Sequence, residues 1–179
     1  LGLQVGNSAF GASVVHARLN QLGSARIIGG EFSAGRVDVS AETTGFAKTI
    51  GGVLGAATSG TAAGLTVALT DMDAAALAEI TAAQVTSSGG LDVDASDTSS
   101  ALSAALAGGG SAGQGALVGA IGATSQRALV QAGAIGATLT NWGGDVEITA
   151  TQNALTNAMV AQGGAGGNFA AGAAISDVT

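Results

Sequence analysis

Three short segments repeat one pattern at almost one distance. Arg36-Val37-Asp38-Val39-Ser40-Ala41, Gly90-Leu91-Asp92-Val93-Asp94-Ala95 and Asp145-Val146-Glu147-Ile148-Thr149-Ala150 each alternate apolar and polar residues and close on alanine. Ala41 lies 54 positions before Ala95, and Ala95 lies 55 before Ala150. Period-two alternation marks a strand with one buried and one wet face. A long period of this kind marks an array that buries its core by stacking one unit on the next.

Other segments follow the same spacing. Ala25-Arg26-Ile27, Ala78-Glu79-Ile80 and Ala134-Ile135 precede the three alternating segments. Apolar runs at Gly11–Val15, Gly64–Leu69, Gly115–Ile121 and Phe169–Ile175 follow them, after Gly-rich stretches read as bends. The chain therefore reads as a single solenoid segment cut from a longer repeat protein. Its units are a partial repeat 1–34, full repeats 35–89 and 90–143, and a partial repeat 144–179. The expected fold is all-β, a parallel β-helix (β-solenoid). Two coils of ~27 residues or three of ~18 per repeat are both open, the nearest range for solenoid units being roughly 20–45 residues. Seven to ten such coils make a rod of about 35–45 Å at the inter-strand spacing. The competing element is a helix over Asp73–Val85, where Ala, Leu and Glu follow a possible Asp cap.

Composition narrows the classes. The 179 residues include 31 Gly, no Pro, no Cys, no Tyr and one Trp. Charged residues make up 9% and the net charge is −7. Disordered chains combine few apolar residues with high charge; this chain has little charge and a mean hydropathy of +0.48. It must bury surface, in an interior narrow enough for alanine and glycine. Four of its five bases precede residue 49, and Arg127 alone follows. That is no basic patch for phosphates, so nucleic acid is not an expected partner. The uncharged stretch Thr98–Gln126 is too broken by Gly, Ser and Gln for a spanning helix, and membrane insertion is not expected.

The repeat, V-x-V-x-A followed by a polar turn, Ala/Leu-rich sequence, glycines and a closing A-x-I, resembles the passenger repeats of large secreted bacterial adhesins. These are the leukotoxin-type filamentous adhesins and the haemagglutinin-like autotransporter passengers. The resemblance implies an extracellular right-handed parallel β-helix at the bacterial cell surface, used as stalk, adhesin or matrix fibre. Its partners would be a host or matrix ligand, and other copies along or beside the fibre.

Residues that could carry chemistry are few. His16 is the sole histidine and reads as a half-exposed strand residue. A triad or a zinc site needs more partners than this chain supplies. Asp92 and Asp94, with Asp97 nearby, are weak Ca²⁺ candidates, because residues two apart on a strand share a face. Gly89-Gly90-Leu91-Asp92-Val93-Asp94 only distantly echoes the calcium-binding nonapeptide. Gly108-Gly109-Gly110 lacks a following Gly-Lys-Ser/Thr and reads as a solenoid corner rather than a phosphate loop. Trp142 reads either as an exposed contact or as packing over Gly143-Gly144. The four phenylalanines read as core or end-stack residues. No cofactor and no enzymatic activity are expected. A glycan- or ice-binding solenoid is the alternative, although no T-x-T array recurs.

Overall fold

The computed structural model describes residues 1–179. It is all-β, built from parallel sheets of very long strands. Sheet A contains β1 (Gly2–Gly6), β4 (Val37–Ala57), β7 (Leu91–Ser111) and β10 (Val146–Gly166), in that order. Sheet B contains β2 (Ala9–Ile28), β5 (Thr61–Thr81), β8 (Gly115–Ile135) and β11 (Phe169–Val178). Sheet C is short, with β3 (Glu31–Ala34), β6 (Gln84–Ser87) and β9 (Thr138–Asn141). The chain visits A, B and C in turn and then begins again one strand further along, an arrangement consistent with a β-solenoid.

The alternating segments occupy one set of columns. Val37, Leu91 and Val146 are in register, as are Val39, Val93 and Ile148, and Ala41, Ala95 and Ala150. One passage through all three sheets consumes the whole spacing. The expected two or three coils per repeat are therefore corrected to one, and the seven to ten layers to between three and four. The layers are wide instead of numerous. A 21-residue strand reaches about 70 Å, against 3–10 residues for common strands. The stack is only about 15–20 Å high at the inter-strand spacing. The segment Asp73–Val85 is strand and turn, not helix.

The long strands that run their full course keep 20 or 21 residues, while two of the three turns vary in length. Sheet A joins sheet B through two residues at 7–8, three at 58–60, three at 112–114 and two at 167–168. Sheet C returns to sheet A through two residues at 35–36, three at 88–90 and four at 142–145. The extra residue of the 55 spacing thus lies in the Trp142–Asp145 turn. Ile80 pairs with Ala134, and Ile135 with Thr81. Equating Ile135 with Ile80 is out by one, and Ile135 faces solvent. A one-residue shift exchanges the two faces of a strand.

Sheets A and B pack face to face over a thin interior. Near sheet C it is filled by Val37, Val39, Ile80, Val85, Leu91 and Val93 with interspersed alanines. Toward the opposite edge Val53, Ala68, Ala105, Ala107, Val118 and Ala120 form a second cluster. There Gly55, Gly109 and Gly164 form an inward column. A Cβ on Gly109 would lie 2.9 Å from Val118 Cγ1. The Gly108–Gly110 triplet therefore belongs to a strand where the sheets converge, not to a corner. The corner is Ala112–Gln114, where a Cβ on Gly113 would strike the Ser59 backbone. Large rings do not fit this interior. Phe10, Phe46 and Phe169 point outward and are exposed, which corrects their reading as core. Phe169 lies over Gly115, where a Cβ would meet its ring. All four phenylalanines sit on strands, or stretches of strand, with no further strand beyond them.

Most stabilisation runs along the stack. Of 116 backbone–backbone hydrogen bonds, 100 lie within the strand ladders. Only 43 of 179 residues are buried, and most of the apolar ones are alanine. A small side chain contributes little on burial, so the ladder, repeated from layer to layer, carries most of the order.

Candidate functional site

Between the two apolar clusters the interior holds a polar seam. Asp97 is 1% exposed. Thr43 Oγ1 donates to Asp97 Oδ1 at 2.8 Å, and Ser99 Oγ donates to Oδ2 at 2.8 Å. Gln126 Nε2 donates to Ser99 Oγ at 2.7 Å. The Oε1 atoms of Gln126 and Gln21 are buried without a hydrogen-bond partner. Next to this lie two hydroxyl pairs. Thr70 Oγ1 donates to Thr49 Oγ1 at 2.7 Å, and one layer on Thr124 Oγ1 donates to Ser103 Oγ at 2.8 Å. In the following layer both places are apolar, Ala158 and Val178. Exchanging both partners of a buried hydrogen bond for apolar groups is nearly neutral, whereas exchanging one is costly.

The seam is structural in its chemistry. Asp97 has no cation within ion-pair distance, and its column partners are Thr43 and Gln152. Asp97→Asn keeps an acceptor and removes a buried charge, so its unfolding free energy is expected within about 1 kcal/mol of the parent. Asp97→Ala strands two hydroxyls and is expected to cost about 2 kcal/mol. Urea titrations of both variants check this.

The three Ca²⁺ candidates do not converge. Asp92 lies in an outward column between Asp38 and Glu147, and Asp94 in another between Ser40 and Thr149. Asp97 points to the opposite face of the same strand. Arg36 Nη2 approaches Asp92 Oδ2 at 3.7 Å. No group of three or more His, Asp or Glu side chains has the geometry of a metal site.

His16 lies half-exposed on β2, its Nε2 2.8 Å from Asp71 Oδ2. It stands beside two ion pairs on the outer face of sheet B. Arg18 meets Asp73 at 3.1 Å and Arg26 meets Glu79 at 3.3 Å. Two of the four early bases, Arg18 and Arg26, therefore lie in the first layer and face acids of the second. Exposed pairs of this kind contribute little each, but they leave the outer face of sheet B near neutrality. Arg18, Arg26 and Arg127 stand there against Asp71, Asp73, Glu79 and Asp177, a net of −1 with His16 neutral. On the outer face of sheet A, Lys48 stands against Asp38, Glu42, Asp92, Asp94 and Glu147, a net of −4.

Every charged side chain lies in the half of the plate nearer sheet C. The other half, made of residues 1–15, 49–68, 103–122 and 158–176, has none. Its outer surface on sheet B is a shallow apolar groove of about 660 Å³ crossing all four strands. Phe10, Leu65 and Leu117 form its walls, and Ala63, Gly119 and Ala171 its floor. Phe10 is 63% exposed. On the outer face of sheet A the corresponding half carries Ile50, Leu54, Leu106 and Met159. Trp142, 79% exposed, stands on the turn between sheets C and A and faces solvent instead of packing over the turn. The outward columns richest in threonine hold two each, Thr44, Thr98, Asn153 on sheet A and Ser33, Thr86, Thr140 on sheet C. The apolar groove escaped the sequence reading, because its residues come together only once four distant segments are in register. No helix is long and apolar enough to cross a membrane. No protein-family model, curated protein or solved structure matches the chain.

Proposed function

We propose that this chain is a rigid segment of an extracellular bacterial surface fibre, wound as a right-handed parallel β-helix, with a spacing or adhesive role and no catalysis. The observation that supports this best is the column Val39–Val93–Ile148. Equivalent residues lie on equivalent residues, so each further passage adds length without a new kind of contact. The outer face presents ladders and an apolar half instead of converging acid, base and nucleophile. The passenger-like V-x-V-x-A repeat points the same way.

In-frame duplication of residues 37–90 tests the reading. Each added copy is expected to lengthen the particle by about 4.8 Å along the stack and leave its cross-section unchanged. Small-angle scattering of chains with one, four and eight added copies measures both. A widening cross-section or a loss of the strand signal in circular dichroism sinks the fibre. Glycan-array binding or thermal hysteresis by the purified chain would replace the spacer role with a ligand-binding one.

A further inference from the structure

The uncharged half of sheet B is an unpartnered apolar face, and its geometry says what covers it. The face spans about eight residues per strand over four strands, roughly 26 Å by 19 Å. Two such faces in contact remove about 1,000 Å² from water, the size at which specific interfaces begin. Sheet A is the poorer partner, because the charged part of its outer face is net −4, against −1 on sheet B.

We infer that the uncharged half of sheet B docks onto the same surface of a second copy of this chain, related by a two-fold axis parallel to the stacking direction. The inference rests on the fibre reading and adds its lateral partner. The axis runs along the column Ala12, Leu65, Gly119, Ala173. Rotation about it turns the strands end for end but keeps each layer at its own level. The charged halves then project in opposite directions, and like charges are kept apart. The flanking columns meet each other: Phe10 receives Val14, Ala63 receives Val67, Leu117 receives Ile121, and Ala171 receives Ile175 of the second copy. In two of these layers alanine makes room for a branched side chain, which is the complementarity an interface core requires. Both copies wind in the same sense along the axis, so the fibres lie parallel. The contact grows by about 250 Å² with each added layer, counting both partners. Association by this surface is therefore weak in a short stack and tight in a long one.

Sedimentation velocity over roughly 1 µM to 1 mM, the range of interfaces of this size, tests the pairing. The 16.7 kDa chain is expected to shift to twice its mass, at lower concentration when sulfate is added. Leu65→Asp with Leu117→Asp, both outward, is expected to weaken dimerisation at least tenfold. Leu106→Asp on sheet A is expected to leave it unchanged. In the cysteine-free parent, Ala173→Cys near the axis is expected to be joined to its counterpart by a short bismaleimide, because facing sheets stand about 10 Å apart, and Ala161→Cys on sheet A is not. This last measurement stands even if the aspartate variants fail to fold, which circular dichroism shows. A parent that stays monomeric throughout, or equal effects of the sheet A and sheet B variants, overturns the pairing. Recruitment of the parent to phosphatidylcholine vesicles, lost in the Leu65/Leu117 variant and without dimerisation, assigns the face to lipid and also overturns it. If pairing fails while the duplicated chains still lengthen, the fibre reading survives; if lengthening fails, it falls on its own.

Discussion

Deleting Ser96 is expected to abolish the folded state, while deleting Gly143 leaves it intact. Ser96 lies inside β7, outward, between Ala95 and the buried Asp97. Its loss forces one side of the strand to slip by a residue against both β4 and β10. If the distal part slips, Thr98, Ser100, Leu102 and Leu106 turn inward, where the facing sheet leaves room for alanine and serine. If the proximal part slips, Asp92 and Asp94 enter the cluster built by Val39, Ile80 and Val85. Either outcome buries charge or overpacks a thin core, at several kcal/mol. Gly143 sits in the four-residue turn that its neighbour in the stack makes with three. Removing it shortens one return loop and moves no strand residue to the other face, so a cost under about 1 kcal/mol is expected. Chemical denaturation with circular dichroism distinguishes the two deletions. A folded Ser96 deletion with an unchanged midpoint would refute the register.

Val93→Asp carries the second large effect, and its size depends on position in the stack. Val93 has 0% exposure, with Val39 and Ile148 as its neighbours above and below. A carboxylate there has no cation or donor set, unlike Asp97, whose oxygens are met by Thr43 and Ser99. The expected loss exceeds about 4 kcal/mol, a large part of the 5–15 kcal/mol available to an ordinary domain. Ile148→Asp, in the same column but on the last strand of sheet A and 46% exposed, is expected to cost under about 1 kcal/mol. Asp92→Val, one residue away on the outer face, is expected to cost nothing measurable and relieves the acidic column with Asp38 and Glu147. Thermal melts of the three proteins give the ranking. Equal losses for Val93→Asp and Ile148→Asp would mean that the layers do not stack in this order.

These contrasts explain what could be read before the fold was known. The columns headed by Val37, Val39 and Ala41 were legible, because aliphatic and acidic residues alternate there without ambiguity. The layer length was not. From Thr43 to Ala57 alanine, glycine and threonine occupy inward places while Phe46, Ile50 and Leu54 face out, so the period-two signal fades along a strand that continues. Strands of 21 residues also lie far outside common lengths. The glycines at 108–110 looked like a bend because nothing in a single segment reveals the opposite wall. Asp97 was grouped with Asp92 and Asp94 by proximity, yet an odd separation on a strand puts it on the other side. The part played by Gln126 had no local sign, since its partner Ser99 is 27 positions away.

Fixed strands joined by elastic turns have a hereditary consequence. A recombination event that gains or loses about one layer of coding sequence, anywhere in the array, restores the ladder provided its junction falls in a turn. Slippage errors of a codon or two are absorbed at the same places. The height of the stack can then drift between lineages by whole layers while its thickness stays the same.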